Sequence, residues 1–335
     1  MNKRRLSIQQ QTRIAENQQR ELQVNSDSSV DQSGPTAQNC NGRVISHYGQ
    51  QLDVESLQNG QRGRLIRCHQ RSNLPQLVTG DLVIWEADGE DAGVITALGH
   101  RSSLFGRPTA VSEFKPVAAN IDRVLVVIAP IPEPFMNLID RYLVGIECLG
   151  LKPLLVLNKV DVLNSTNSNY LDSMLSKYEV IGYPVIRVSA QTGLGLSDLE
   201  AALAEETTIL VGQSGVGKSS LINSLGPDID TEVGALSQGK AKGTHTTTTA
   251  KLIHLSSFDL VDSPGIREFS LGHIEPDQLI EGFVEMRSIT GNCKFRDCAH
   301  QSEPDCAIQE AVANGQIDPQ RLESYFQILQ TLQNT

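Results

Sequence analysis

The stretch TILVGQSGVGKSSLINSL, residues 208–225, decides the fold of this chain. It sets the phosphate-loop pattern G-x-x-x-x-G-K-S between an apolar strand and a predicted helix, which is the context that this loop requires. Glycines let backbone N–H groups curl around phosphates, the Lys218 ammonium reaches the β and γ oxygens, and the Ser219 hydroxyl holds Mg²⁺. The stretch therefore predicts an α/β domain that binds a nucleoside triphosphate. Its expected nucleotide-binding residues are Gly212, Gln213, Ser214, Gly215, Val216, Gly217, Lys218, Ser219 and Ser220.

A second motif, Asn158-Lys159-Val160-Asp161, follows a predicted buried strand. The carboxylate of Asp161 can accept hydrogen bonds from guanine N1 and N2, a donor pair that adenine lacks, and the Lys159 stem can pack on the base plane. An Asn and an Asp after a strand also form ordinary turns, so the tetrapeptide alone is ambiguous. Beside the phosphate loop it predicts selection of GTP. Ser189 and Ala190 fit the second base-contacting loop, where a backbone N–H meets guanine O6.

Two further segments are expected to contact the γ-phosphate and the magnesium ion. Asp262-Ser263-Pro264-Gly265 resembles the D-x-x-G motif, in which Asp262 binds Mg²⁺ through water and the Gly265 N–H senses the γ-phosphate. The sequence GTHTTTT, residues 243–249, lies between the phosphate loop and this D-x-x-G motif. One of its threonines, which we take as Thr247, is expected to complete the magnesium shell with Ser219 and Asp262. A run of threonines is otherwise a good β-strand.

The order of these motifs is permuted. In an ordinary GTPase the phosphate loop comes first and N-K-x-D late, whereas here Asn158 precedes Gly212 by about fifty residues. The same sheet forms if the original ends are joined and the chain is opened elsewhere, because domain termini often lie close together.

Composition changes along the chain predict a multidomain protein. Residues 1–40 are polar and Gln-rich, which is typical of a disordered tail. Five short β-prone runs in residues 41–112 predict an OB-like barrel. Alternating strands and helices in residues 113–271 predict the GTPase domain with a mostly parallel sheet. Residues 272–335 are expected to form a helical zinc domain with a core of its own.

The Cys/His cluster of that last region has the pattern C-x4-C-x-H-x5-C. Cys293, Cys298, His300 and Cys306 match the Cys₃His set of a closed structural zinc site, so one Zn²⁺ per chain is expected. The set leaves no open position for a catalytic metal. The sequence shows neither a secretion signal nor an apolar run long enough to cross a bilayer, and in the reducing compartment this predicts, crowded cysteines favour metal ligation over disulfides. We therefore expect a cytoplasmic monomer without a membrane partner.

The net charge of −11 argues against a uniformly RNA-binding surface. Residues 1–120 carry 13 Lys and Arg against 12 Asp and Glu, whereas the remainder carries 15 against 27, so a basic surface is expected in the first half. Arg62, Arg64 and Arg67 lie on or beside a predicted barrel strand, where alternate spacing would place the first two on one face. They are candidates for phosphate contact, although a solvated charged strand explains them equally well.

The permuted series N-K-x-D, S-A, G-x-S-G-V-G-K-S, G-x-H-T-T-T, D-S-P-G and C-x4-C-x-H-x5-C resembles the bacterial ribosome small-subunit-dependent GTPase A family. The similarity covers about residues 42–330. It implies an OB-fold domain that supplies an RNA-binding face, a permuted GTPase domain and a zinc domain. It also implies an action in late maturation of the small ribosomal subunit. It also implies GTP hydrolysis that the subunit stimulates.

The residue after Gly265 is Ile266, where many GTPases carry a glutamine that orients the attacking water. An aliphatic side chain cannot do this, so hydrolysis needs another group. His245 is the candidate catalytic residue, and the alternative is that it only orders its loop. Two functions remain open: a GTP-hydrolysing ribosome assembly factor, or a GTP-dependent RNA-binding regulator with negligible turnover.

Overall fold

The computed structural model describes residues 39–89, 92–108, 114–226, 250–263, 271 and 274–333. The tail expected at residues 1–40 therefore lies almost wholly outside the described residues. None of the helices formed by the described residues is long and apolar enough to span a membrane.

The first unit is a closed five-stranded barrel, as the sequence predicts. Its strands are β1 Gly42–Tyr48, β2 Gln51–Ser56, β3 Leu65–Gln70, β4 Leu82–Ala87 and β5 Ala92–Leu98. Antiparallel pairs join β1 to β2, β2 to β3 and β4 to β5, β3 runs parallel to β5, and pairing of β1 with β4 closes the barrel. Alternate side chains fill its interior, among them Val44, Leu52, Ile66, Trp85 and Ile95.

A hairpin of β6 Leu104–Pro108 and β7 Phe114–Ala119 leads from the barrel to the second unit. That unit is an α/β domain with six strands in the order β10-β9-β8-β11-β13-β12. All neighbouring pairs are parallel except β12 with β13. The strands are β8 Arg123–Ile128, β9 Lys152–Leu157, β10 Val185–Arg187, β11 Thr207–Val211, β12 Lys251–His254 and β13 Asp259–Asp262.

Helices cover both faces of this sheet, which explains why its strands are apolar throughout. Val124 and Val126 of β8 point to one face, where they join a core with α1 Met136–Cys148 and α2 Ser165–Ile181. Leu125 and Val127 point to the other face and pack with α3 Leu196–Leu203 and α4 Lys218–Leu225. Because successive side chains of a strand point to opposite faces, each strand contributes apolar side chains to both cores.

The C-terminal helices do not have a separate core, contrary to the sequence-based expectation. They are α5 Val284–Arg287, α6 Ala307–Ala313 and α7 Pro319–Gln333. Their apolar side chains, including Met286, Ile308, Leu322 and Ile328, belong to the same buried cluster as α1 and the face of β8 that packs on it. The helical period predicts which face of α7 is apolar, but not that this face covers a helix of the GTPase domain.

A buried ionic cluster fixes that packing. Arg321 of α7 has no exposed side-chain surface and donates to Asp140 Oδ1 of α1 at 2.6 Å and to Glu285 Oε1 of α5 at 2.6 Å. Its guanidinium carbon lies 4.5 Å from the ring centroid of Phe283, and Tyr178 of α2 donates to Asp140 at 2.6 Å. Burial alone would lower the pKa of Arg321, but the carboxylates of Asp140 and Glu285 raise it. The guanidinium therefore stays charged.

The barrel meets the α/β domain along β12. Ser46 of β1 pairs with Lys251, which makes the barrel and the nucleotide-binding sheet one continuous eleven-stranded sheet within the described residues. The Thr79 hydroxyl donates to the Ala250 carbonyl at 2.9 Å, directly before β12. Arg43 of β1 pairs with Asp259 of β13 and donates to the Thr207 hydroxyl at 2.8 Å.

His254 adds a further link across this joint. Its Nε2 lies 3.1 Å from Glu55 of the barrel and its Nδ1 lies 2.7 Å from Asp259. The hydrogen bond with Asp259 raises the pKa of His254, although burial opposes the shift. Burial would raise the pKa of Asp259, but hydrogen bonds from His254 and Arg43 lower it. Both charged forms are therefore favoured at the joint.

We expect Arg321→Met to destabilise the whole α/β domain and not only the C-terminal helices. Truncating one partner of a buried ionic cluster leaves uncompensated carboxylates, at a cost of about 3–5 kcal/mol. Arg187→Met is the matched control, because Arg187 makes its two ion pairs at an exposed site, where such pairs are worth about 0–1 kcal/mol. Denaturant unfolding of both variants measures the difference. Loss of only the C-terminal helices in Arg321→Met, with the GTPase core unchanged, would contradict the shared core.

Candidate nucleotide site and candidate metal centre

The phosphate loop joins the carboxyl end of β11 to the amino end of α4. Gly212, Gly215 and Gly217 have φ values of 140°, 85° and 92°, in the left-handed region that favours glycine. A Cβ on Gly212 would lie 2.3 Å from the Val127 carbonyl oxygen, so the loop also approaches β8 too closely for a side chain. Lys218 Nζ donates to the carbonyls of Gly212 and Gln213 at 2.6 and 2.7 Å, which directs the ammonium into the loop.

Asn158 ties three of the predicted motifs together. Its side chain is fully buried, and its Nδ2 donates to the Val216 carbonyl of the phosphate loop at 3.0 Å. Its Oδ1 accepts from the backbone N–H of Ala190 at 3.2 Å. One amide thus connects the N-K-x-D loop, the phosphate loop and the Ser-Ala loop, which the sequence predicted as parts of one site.

Lys159 and Ser189 make further hydrogen bonds within and between these loops. Lys159 has a left-handed backbone with φ 60°, and its Nζ donates to the carbonyls of Gly215 and Ile131 at 2.5 and 3.0 Å. The buried Ser189 hydroxyl donates to the exposed carboxylate of Asp161 and accepts from the Thr192 N–H at 3.1 Å. Ser189 therefore fixes the orientation of the Asp161 carboxylate, a contribution of its side chain that the sequence analysis did not anticipate.

Asp262 ends β13, the parallel neighbour of β11, so its carboxylate emerges at the same edge of the sheet as the phosphate loop. Burial raises the pKa of Asp262. A bound cation at this position would stabilise the charged form and offset that effect. The other residues predicted for this part of the site, His245, Thr247 and Gly265, lie outside the described residues.

The four predicted metal ligands lie together. The ligand atoms of Cys293, Cys298, His300 and Cys306 are all within 4.8 Å of one another. The Cys293 and Cys306 sulfurs are each 3.5 Å from His300 Nδ1 and 4.0 Å from each other. Tetrahedral coordination by thiolates and an imidazole places such atoms about 3.5–4 Å apart, so the donor set fits a metal ion. Burial lowers the pKa of His300, which favours the neutral imidazole that binds metals.

The predicted RNA-binding arginines differ in their local structure. Arg62 and Arg64 lie in the exposed turn before β3, whose first residue is Leu65, so the strand alternation expected for them does not apply. The glycine at position 63, with φ 84°, keeps the chain in a turn here. Arg67 does lie on β3 and faces outward, where it pairs with Asp53.

An exposed tyrosine that the sequence analysis missed accompanies Arg67. The guanidinium carbon lies 5.5 Å from the ring centroid of Tyr48, at the end of β1, and Nη1 donates to Gln51 at 3.4 Å. Barrel register places Tyr48 opposite Gln51, and Gln51 opposite His69, so these side chains share one outer face. The sequence signal that could have identified Tyr48 is an aromatic residue at an outward-facing position of a predicted strand.

Known proteins are similar in sequence to most of this chain. The profile of the family described as RsgA GTPase matches residues 98–272 of this chain. Two relatives named small ribosomal subunit biogenesis GTPase RsgA are similar over most of its length. The protein from Azotobacter vinelandii is 52% identical, covering 87% of this chain and 85% of its own. The one from Hahella chejuensis is 49% identical, covering 99% and 97%.

Solved structures show the same fold. The crystal structure of YjeQ from Thermotoga maritima has a TM-score of 0.73 at 32% identity and covers 88% of this chain and 98% of its own. The structure of YloQ, described as a circularly permuted GTPase, has a TM-score of 0.71 at 26% identity, with 88% and 94% covered. The similarity therefore extends from the barrel through the permuted domain to the C-terminal helices.

Proposed function

The chain belongs to the RsgA GTPase family, and on that premise we propose that it hydrolyses GTP as a factor that binds the small ribosomal subunit through rRNA and acts in its late maturation. The observation that carries the proposal is the buried Asn158 amide. It joins the phosphate loop to both loops expected to contact the base, although the motifs occur in permuted order.

Guanine recognition is assigned to Asp161 and Ala190. The Asp161 carboxylate, oriented by the Ser189 hydroxyl, would accept from guanine N1 and N2. The Ala190 N–H, which now donates to Asn158 Oδ1, would turn to O6 when nucleotide binds. Lys159, already bonded to the Gly215 carbonyl, holds its aliphatic stem where a base plane can pack on it. Adenine would present the wrong groups to Asp161, so ATP is excluded.

Phosphate binding is assigned to the loop of residues 212–219 and to Lys218. The ammonium that now contacts the Gly212 and Gln213 carbonyls would turn to the β and γ oxygens when nucleotide binds. Ser219, Thr247 and Asp262 would hold the Mg²⁺ ion, which neutralises charge that develops on the transferred phosphoryl group. The Gly265 N–H would contact the γ-phosphate.

Water activation is assigned to His245, because Ile266 cannot orient a water molecule. The competing role for His245 is ordering of its loop. Stimulation by the small subunit is consistent with either role, since ribosome contact can complete the site by ordering residues around the γ-phosphate.

The metal centre is assigned to one Zn²⁺ per chain, held by Cys293, Cys298, His300 and Cys306. Three thiolates and an imidazole are the ligand types that zinc prefers in closed structural sites. Zinc would supply structural stability there, because the four ligands leave no position for water or substrate. RNA contact is assigned to the outer face of the barrel, with Arg62, Arg64 and Arg67 contributing through rRNA phosphates.

We expect Asp161→Asn to weaken GTP and GDP binding by about ten- to over a hundredfold, because it removes charge-assisted hydrogen bonds worth about 1.5–3 kcal/mol. The asparagine amide can instead donate to the 2-carbonyl of xanthine, so affinity for xanthosine nucleotides should rise. Isothermal titration calorimetry with guanosine and with xanthosine nucleotides measures the two affinities. Asp172→Asn, on the exposed side of α2, is the control. Unchanged GTP affinity in Asp161→Asn would contradict the base assignment.

We expect one zinc per chain in protein purified without chelator, measured by elemental analysis. Cys306→Ser should lose the metal and lower the stability of the α/β domain as well, since Cys306 is buried in the core shared with α1. Cys148→Ser, at a half-buried position outside the cluster, is the control and should retain zinc. Protein without zinc, or Cys306→Ser with full zinc, would refute the assignment.

We expect small subunits, and not large subunits, to stimulate multiple-turnover GTP hydrolysis. The triple variant Arg62→Ala, Arg64→Ala, Arg67→Ala should need more subunit for the same stimulation. Its binding should also depend less steeply on salt, because fewer counterions are released from rRNA. GTP-dependent subunit binding with negligible turnover would favour the RNA-binding regulator instead. An unchanged salt slope in the triple variant would place the RNA-binding face elsewhere.

A further inference from the structure

A solvent-exposed phenylalanine projects from the metal centre. Phe295 is 43% exposed and lies in the four-residue loop between Cys293 and Cys298, which we call the metal loop (residues 294–297). Single exposed apolar residues are common, and exposure alone indicates nothing. Here, however, the ring is presented by a segment whose two ends are both metal ligands.

The metal loop is held in place. Cys293 lies within 3.5 Å of His300 Nδ1, and the Lys294 N–H donates to the Asp305 carbonyl at 3.3 Å. Lys294 Nζ also pairs with the Asp305 carboxylate at 2.6 Å. A loop whose backbone is already ordered loses less conformational entropy when one of its side chains binds.

Two cations and three carboxylates lie around the ring, and Arg296 is the cation that an anionic partner could contact. Lys294 Nζ lies 5.8 Å from the Phe295 ring centroid, and Arg296 is exposed and forms no ion pair with the residues that the structure describes. Of the nearby acids, Asp305 is paired with Lys294. The Glu303 carboxylate accepts backbone N–H groups of Ala299, Gln301 and Ser302 at 2.8–3.1 Å. Asp297 is the remaining carboxylate of the metal loop.

We propose that Phe295 is a base-stacking residue, on which an unpaired base of the small-subunit rRNA stacks while Arg296 contacts a neighbouring phosphate. The inference rests on the proposed function and names a second contact, separate from the barrel face. Unpaired bases are read by stacking on exposed aromatic rings, with cations beside them for the backbone. A pocket in a ribosomal protein would require the apolar volume of Phe295 but not its flat ring.

Two substitutions of Phe295 distinguish a stacked rRNA base from a pocket in a ribosomal protein. Phe295→Leu keeps apolar volume and loses the ring, whereas Phe295→Tyr keeps the ring. Removing one stacked base contact should weaken small-subunit binding by about five- to 150-fold. We expect this loss in Phe295→Ala and Phe295→Leu, and affinity within about twofold of the original chain in Phe295→Tyr. Tyr170→Ala, which removes an aromatic side chain of 46% exposure on α2, is the matched control and should bind normally.

The measurement is a titration of full-length, zinc-containing protein, bound to a non-hydrolysable GTP analogue, with purified small subunits. Zinc content and thermal unfolding of each variant establish that it is folded. Phe295→Trp provides a direct readout, because Trp85 is the single native tryptophan and is buried. Stacking on a base should quench the added indole when small subunits are supplied.

The outcomes are distinct. Normal binding by Phe295→Ala overturns the proposal, as does normal binding by Phe295→Leu together with weak binding by Phe295→Ala, which would indicate a protein pocket. Absence of quenching in a Phe295→Trp variant that binds also overturns it. If the original chain does not bind small subunits, the proposed function fails first and this contact with it. If the original chain binds and only the Phe295 results fail, the proposed function stands.

Discussion

β11 is paired in parallel with β8 on one side and β13 on the other, and the rest of the nucleotide site depends on this position. Parallel strands deliver their following loops to one edge, so the phosphate loop and Asp262 emerge side by side. β9 lies one strand further along, and its loop reaches the phosphate loop through Asn158. Because spatial order defines the site, the permuted order along the chain leaves its geometry intact.

The same strand order determines where the barrel attaches. β12 lies between the threonine-containing segment and the D-S-P-G motif, and it is the strand to which β1 pairs. Thr79 of the barrel bonds to Ala250, three residues after Thr247. The barrel therefore rests on a strand whose two ends lead to segments expected to contact the magnesium ion and the γ-phosphate. A change at either segment has a short covalent path to the strand on which the barrel rests.

The C-terminal helices are connected differently. Arg321, Asp140 and Glu285 bind α7 and α5 to α1 without exposure to water, and apolar side chains surround them. The sequence had suggested a helical zinc domain with a core of its own. Instead, the C-terminal helices share one buried apolar core with α1. The barrel joint differs, because strand pairing and ionic contacts such as Arg43 with Asp259 accompany its apolar contact through Ile45.

The sequence by itself determined the phosphate loop, the base motif, the Cys₃His set and the five barrel strands. In each case the chemistry or the period lies within a short segment: glycines at fixed spacing, ligands within fourteen residues, alternating side chains. It could not determine that Arg62 and Arg64 precede β3, because one glycine moves a strand boundary.

Only the tertiary structure decided which surfaces meet. It placed Tyr48 beside Arg67, joined β1 to β12, and brought Arg321 to Asp140, 181 residues away in the chain. Periodicity identifies the buried face of an element but carries no information on its partner. Packing complementarity and the pairing of buried charge select that partner, and both are properties of the assembled chain.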